Sequence, residues 1–219
     1  LRRWYCNAMW ESRRPPFFDS EALLSQDSRA FFLLISFLFC TFAVDMKKIT
    51  RYLVWLGRIH HSYGFGIQSP TDYAFVRFVI NEHSPYYAYS QLDDLSDEWL
   101  TRKLGKLYFR LANWRQPSII RWDEYAPYWQ AGCRKVSLKK DIDRIELVRY
   151  DIHESENLTS IYNKVDDKSV VVIEKIFKDW KQWHEIEHDP RTVVTFDLYY
   201  CGIVFFDKKR QKKNYKVNF

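Results

Sequence analysis

The sequence contains no pair of closely spaced cysteines. Its four cysteines lie far apart, at Cys6, Cys40, Cys133 and Cys201, and form no C-x-x-C motif. Because zinc sites and redox dithiols commonly depend on such pairs, the sequence disfavours both of these functions. We interpret Cys133 and Cys201 as buried thiols, which indicates a protein of the reducing cytoplasm.

An apolar run long enough to span a membrane is also lacking. The run Ala30–Val44 has 15 residues and is interrupted by Ser36 and Thr41, whereas a bilayer requires about 20 apolar residues. The run also lacks the A-x-A-like cleavage site of a signal peptide. We therefore expect no stable membrane span, and a weak membrane anchor is left open as an alternative.

The front of the chain differs in character from the rest. Residues 1–45 begin with Leu1 and carry balanced charges, so the formal net charge of +6 belongs to Met46–Phe219. We expect 1–45 to be a poorly structured extension or a misassigned start, and 46–219 to form one domain. The basic tail at 208–213 is accompanied by no aromatic ladder and no nucleic-acid motif. We expect it to be a solvated terminal face, with no nucleic-acid partner.

Hydrophobic periodicity divides 46–219 into helices and short strands. Apolar residues at helical spacing predict helices at 49–59, 71–81, 99–114, 158–165 and 177–187. Runs of β-branched and aromatic residues predict strands at 118–122, 134–138, 144–151, 169–174, 193–198 and 202–206. This alternation indicates an α/β fold with a mostly parallel sheet. The three-residue gap between the last two runs predicts a hairpin, with one antiparallel strand at the edge of the sheet.

Three stretches carry a specific resemblance to a known family. The loop at 64–70 (GFGIQSP) is similar to a G-x-G-I-H-S-P-like motif, and the helix at 103–111 to a K-x-G-x-L-x-F-R-L motif. Near the end, Trp183 and Pro190 precede a strand and a G-x-V-F-F pattern at 202–206. The chain thus resembles class I S-adenosylmethionine-dependent methyltransferases, in particular a bacterial O-methyltransferase-like subgroup. The resemblance implies a Rossmann-like three-layer α/β/α sandwich with a C-terminal antiparallel hairpin, here shortened by one βα unit.

The segment at 119–129 departs from the family pattern. In the family the first strand ends in E-x-G-x-x-x-G, whose glycines let the backbone approach the cofactor closely. At the matching positions this chain has Arg121 for the acid, Asp123 for the first glycine and Pro127 for the last glycine or its neighbour. We expect the added aromatic bulk to fill the vacated pocket; it comes from Trp122, Tyr125 and Trp129.

Other positions that the resemblance assigns to the cofactor and to a metal are altered as well. Lysines at 139–140 stand where the family has the acid that contacts the cofactor ribose. Asp151 and His153 are retained after the family's fourth strand, and Glu174 after the fifth. Lys175, however, stands where a further oxygen ligand of a hard divalent cation is expected. We therefore treat Asp151, His153 and Glu174 as vestigial catalytic candidates and predict no bound metal.

A second motif points to different chemistry. The stretch 184–188 reads H-E-x-x-H, the zinc-protease pattern that places two histidines on one face of a helix. Asp189 and Pro190 end that helix at once, and no later histidine or glutamate supplies a third ligand. We interpret the stretch as the terminal helix of the methyltransferase-like domain, with a metalloprotease as the alternative.

Two function classes follow from these observations. The favoured hypothesis is a degenerate methyltransferase-like domain without catalytic activity, which acts as a binding or structural module and needs no cofactor. The alternative is an active O-methyltransferase that binds S-adenosylmethionine in an atypical site. The glycine-free loop at 119–129 favours the first hypothesis, because close approach of the backbone to the cofactor requires residues without a Cβ.

Overall fold

The computed structural model describes residue 46, residues 48–154 and residues 158–219. The predicted extension at 1–45, with its apolar segment, lies outside these residues. The chain divides into two compact units, Leu1–Leu53 and Val54–Phe219, and the second contains every strand described below. None of the helices in the described part of the chain combines the length and the apolarity that a bilayer span requires.

The described residues form seven helices, several of which start and end where the sequence predicts. The helices are α1 (48–57), α2 (Pro70–Phe75), α3 (Ala88–Leu92), α4 (Trp99–Arg115), α5 (Ala126–Gly132), α6 (Leu158–Tyr162) and α7 (Trp180–His188). Helix α2 begins with Pro70 in its first turn, capped by the Ser69 side chain, and continues as a π-helical turn over Val76–Ile80. Helix α4 ends where Gln116 adopts a left-handed conformation.

Helix α5 was not predicted, because the sequence analysis treated its residues as part of the loop after the first strand. It packs against α4 at two glycines. A Cβ atom on Gly105 would lie 2.4 Å from Cζ of Tyr128, and one on Gly132 would lie 2.2 Å from the carbonyl oxygen of Phe109. The close approach of the two helices therefore requires glycine at both positions.

Seven strands form one sheet in the order β2-β1-β3-β4-β6-β5-β7. The strands are β1 (Ile119–Arg121), β2 (Ser137–Lys139), β3 (Ile145–Asp151), β4 (Val165–Glu174), β5 (Val194–Asp197), β6 (Cys201–Phe205) and β7 (Lys213–Lys216). Strand β6 is antiparallel to both of its neighbours, and all other pairs are parallel. The predicted α/β class, the mostly parallel sheet and the C-terminal antiparallel hairpin are therefore confirmed.

The predicted position of the antiparallel strand was wrong. Strand β6 lies inside the sheet between β4 and β5, and the edge is formed by β7, for which no strand was predicted. Only its first residue, Lys213, belongs to the predicted basic tail at 208–213. Strand β7 pairs with β5 in parallel, and the ring of Tyr215 stacks on that of Phe196 at 5.3 Å. The lysines at both ends of β7 remain exposed. Because of these charges the strand was not predicted from the sequence, although its pairing with β5 and the Tyr215 contact hold it to the sheet.

Hydrophobic cores lie on both faces of the sheet. Along β4 the side chains alternate, with Val170 and Val172 in one core and Val171 and Ile173 in the other. The first core contains buried residues of α2, α4 and α5, and the second contains buried residues of α6 and α7. Helices thus cover both faces, which explains why the central strands read as nearly continuous apolar runs.

Candidate functional site

The predicted site residues lie at one edge of the sheet. Strands β1, β3 and β4 are parallel, so their carboxyl ends at Arg121, Asp151 and Glu174 meet there. Asp151 and Glu174 are direct partners in the register of β3 and β4. In open α/β sheets this edge is where ligands usually bind, and the sequence motifs directed attention to the same place.

Asp123 organises the loop that follows β1. Its Oδ1 atom accepts hydrogen bonds from the backbone N–H of Tyr125 at 2.8 Å and from the indole N–H of Trp129 at 2.9 Å. Pro127 lies in the first turn of α5. Proline has no backbone N–H, but an N–H at this position would have no hydrogen-bond partner within the helix, so proline is tolerated there. Burial raises the pKa of the Asp123 carboxyl, and the two hydrogen bonds offset that shift only in part. Asp123 is thus a structural anchor for the start of α5.

Aromatic rings fill the space above the end of β1. The indole of Trp129 is fully buried and stacks on the ring of Tyr108 at 4.7 Å, with 20° between the planes. Tyr125 is also buried and meets the Tyr108 ring edge-on, again at 4.7 Å. Trp122, which we expected to contribute to this filling, is 62% exposed and takes no part in it.

A buried ionic network lies beneath these rings. The Glu174 carboxylate accepts a hydrogen bond from the Tyr108 hydroxyl on one oxygen and from the Arg149 guanidinium, at 2.9 Å, on the other. Arg149 also donates to Glu124 at 2.7 Å. Burial and the neighbouring Glu174 charge hold the pKa of Tyr108 well above its ordinary value. Both oxygens of Glu174 are therefore engaged, and a metal could bind there only by breaking a buried pair.

The sequence analysis did not identify Arg149 or Tyr108 as members of this site. Arg149 is a buried cation, only 8% exposed, that follows the buried apolar residues Leu147 and Val148 of β3. A charged residue inside a strand that is buried on both faces requires a partner of opposite charge. The sequence IELVRYD could therefore have been used to predict a buried acidic partner for Arg149. Tyr108 carried no comparable signal, because an aromatic residue on the buried face of a helix is ordinary.

The remaining predicted site residues are paired with one another or with their neighbours. The Asp151 carboxylate forms an ion pair with Lys175 and accepts the backbone N–H of His153 at 3.1 Å. Burial alone would raise the pKa of Asp151, but the hydrogen bond from Lys175 leaves it below the ordinary value. Arg121 donates to the carbonyl oxygen of Arg149 and to Glu154, each at 2.8 Å. Within the described residues, no group of three histidine, cysteine or acidic side chains is placed to hold a metal ion.

The H-E-x-x-H stretch forms helix α7, as predicted, and its polar atoms are bonded within the helix. Nδ1 of His184 lies 2.7 Å from Oε2 of Glu187, and Nδ1 of His188 lies 2.7 Å from the carbonyl oxygen of His184. The two imidazole rings are 6.5 Å apart. Both histidine contacts are made through Nδ1, and the glutamate involved is Glu187, whereas the motif's general base would be Glu185. The part of the chain that the structure describes lacks the third ligand that a zinc site requires, since no group of three candidate side chains lies together there.

Comparisons with known proteins do not assign this chain to a group: no family model, no curated protein and no solved structure matches it. The resemblance to methyltransferases therefore depends on the sequence motifs alone.

Proposed function

We propose that residues 46–219 form a degenerate methyltransferase-like domain that no longer uses S-adenosylmethionine and acts as a binding or structural module. One observation carries the proposal: Asp123, Tyr125 and Trp129 build a packed helix start in the position of the glycine-rich cofactor loop. The residues present do not fit the cofactor, because each adds side-chain atoms where the backbone would have to approach it.

The energetic cost of opening this position supports the proposal. A ligand that entered above β1 would displace the indole of Trp129, which is fully buried and stacked on Tyr108. Removing a buried aromatic side chain from its packing costs about 3–5 kcal/mol. Cofactor binding would have to supply this free energy in addition to its own cost of association.

The connection between β1 and β3 provides further support. Residues 122–144, which are described throughout, contain α5 and the single short strand β2. This agrees with the predicted loss of one βα unit. Strand β2 ends at Lys139, an exposed residue whose carbonyl oxygen accepts the backbone N–H of Trp122 at 2.7 Å. The resemblance aligns this cation with the acid that contacts the ribose in the family, and this supports the proposal.

The surviving acids support the loss of catalysis. Glu174 is 3% exposed and bound by Tyr108 and Arg149, so its charge stabilises the fold beneath α5. Asp151 is neutralised by Lys175. Both carboxylates have protein cations as partners where a metal-dependent enzyme would have the ion itself.

Isothermal titration calorimetry of the full chain with S-adenosylmethionine and with its demethylated product tests the proposal directly. We expect no heat of binding for either ligand up to about 1 mM. Micromolar binding of either ligand that is abolished by Asp123→Ala would overturn the proposal and restore the active O-methyltransferase. Asp151→Ala is the matched control, because it removes an acid from the same sheet edge but leaves the loop after β1 intact.

A further inference from the structure

A cavity of about 550 Å³ lies outside the carboxyl ends of β5 and β7, at the opposite end of the strand order from β1. The strand ends contribute Asp197 and Lys216, helix α7 contributes Trp180 and His184, and the turn after α1 contributes His61. Pockets that hold small molecules typically measure about 300–1,000 Å³. The volume is therefore suitable for a ligand of the size of a nucleotide.

A buried ion pair holds part of the cavity wall in place. The Arg58 guanidinium binds both carboxylate oxygens of Asp197, at 2.8 and 2.7 Å, and also donates to the Asp197 carbonyl oxygen at 3.0 Å. Both side chains are nearly inaccessible to solvent. Asp197 Oδ1 accepts the backbone N–H of Tyr199 as well, at 2.8 Å. This network fixes the position of the strand ends before any ligand binds, which lowers the cost of ordering a site.

The charges that face the cavity are unequally compensated. Two cations, Arg58 and Lys216, and two acids, Asp197 and Glu187, line the cavity. Asp197 is neutralised by Arg58, and the buried Glu187 lies 2.7 Å from His184, which balances its charge only when the imidazole is protonated. Lys216, exposed at the end of β7, forms an ion pair with neither acid. The pKa of His61 is lowered first by its partial burial and then by the charges of Lys216 and Arg58, while the charge of Asp197 acts in the opposite direction.

Aromatic side chains supply a surface beside this charge. The ring of Trp180 is about one-third exposed and lies 6.0 Å from the ring of Tyr199 and 6.3 Å from that of His184. All three residues line the cavity, together with the exposed amide of Asn214. An exposed indole beside a lysine favours ligands that combine a flat ring with a negative group.

We propose that this cavity binds a small molecule that carries an aromatic ring and an anionic group, with the anion at Lys216 and the ring against Trp180. The anionic group is a phosphate or a carboxylate, since both accept hydrogen bonds from an ammonium group. This site is separate from the filled position above β1 and gives the proposed binding module a ligand of defined chemistry.

Calorimetric titration of the full chain with two probes distinguishes the sources of the anion. Adenosine 5′-monophosphate offers a ring with a phosphate, and indole-3-acetate offers a ring with a carboxylate. We expect at least one probe to bind with a Kd below about 1 mM. The two halves of the effective probe should each bind at least about tenfold more weakly; these are adenosine and inorganic phosphate for the nucleotide, or indole and acetate for indole-3-acetate. If neither probe binds with a Kd below about 1 mM, the proposal is wrong.

Variants of the cavity locate the binding. Lys216→Gln should weaken binding of the effective probe about tenfold, because a charge-assisted hydrogen bond is lost. Lys213→Gln is the matched control: Lys213 is an exposed lysine of the same strand that does not line the cavity, so this substitution should leave the affinity unchanged. Trp180→Leu should also weaken binding, with the exposed Trp122→Leu as its control. Equal effects of the two lysine substitutions would refute the assignment of the anion to Lys216.

Discussion

Replacement of Trp129 by alanine tests whether the position above β1 is filled as firmly as the contacts indicate. The indole is fully buried, stacks on Tyr108 and donates a hydrogen bond to Asp123. Burying an aromatic side chain removes about 150–250 Å² from water, which corresponds to about 4–6 kcal/mol at 25 cal/mol per Å². Because the unfolded chain already buries part of this area, we expect Trp129→Ala to lower the free energy of unfolding by about 3–5 kcal/mol.

The measurement is equilibrium urea unfolding of the full chain, followed by far-UV circular dichroism. Trp122→Ala is the matched control, since Trp122 lies seven positions earlier and is 62% exposed. We expect this control to lose less than about 1 kcal/mol. Added indole should raise the stability of Trp129→Ala and leave the control unchanged, because only the first variant contains a vacated apolar cavity.

Two results would refute this reasoning. If the two alanine variants differed by less than about 1 kcal/mol, the indole would not fill the site. If Trp129→Ala gained affinity for S-adenosylmethionine without losing stability, the position would be an accessible cofactor pocket that one side chain closes. Trp129→Phe keeps an aromatic ring and should lose less stability, so the comparison remains available if the alanine variant does not fold.

Three further predictions concern other contacts of the domain. Asp123→Asn should stabilise the protein at about pH 7. Burial raises the pKa of the Asp123 carboxyl in the folded state, so the folded wild-type protein loses stability as the pH rises from the carboxyl pKa of the unfolded chain to that of the folded protein. The asparagine variant has no carboxyl group to ionise and does not lose this stability. Urea unfolding midpoints should show that the stability gained by Asp123→Asn disappears below about pH 3. A variant less stable than the wild-type protein at neutral pH would contradict this prediction. Arg58→Met should cost about 3–5 kcal/mol, since it strands the buried Asp197 carboxylate, and a double-mutant cycle with Asp197→Asn should reveal strong coupling. Gly202→Ala should cost about 1–3 kcal/mol by thermal unfolding, because its Cβ would lie 2.1 Å from the buried Trp183 ring, and an unchanged Tm would exclude this packing.

Elements that depend on local pattern were predicted well. The apolar face of α4 follows the helical period, and the buried residues Leu104, Leu107 and Leu111 are those that the period selects. The hairpin of β5 and β6 followed from two β-type runs with a short gap, and the structure pairs them antiparallel. Of the three aromatic residues expected to fill a vacated pocket, Tyr125 and Trp129 are buried and Trp122 is exposed, and their filling of a cofactor pocket stays a prediction.

Elements that depend on distant partners were predicted less well. Helix α5 is short, and its start is held by the Asp123 side chain while Gly132 fits against α4. Strand β7 contains two lysines in four residues, so no hydrophobic period marks it, and its pairing with β5 decides its conformation. In both cases the local sequence was compatible with a loop, and contacts made elsewhere in the chain selected the structure.

The sequence by itself determined the α/β class, the hairpin and the absence of glycine from 119–129, because the first two follow from periodicity and the third can be read directly from the residues. Only the tertiary structure decided which charges meet. Arg58 and Asp197 are 139 residues apart in sequence, and Arg149 and Glu174 are 25 apart, yet both pairs are buried and directly bonded. The partner of a buried charge depends on how the strands are ordered in the sheet, and local sequence carries no information about that order.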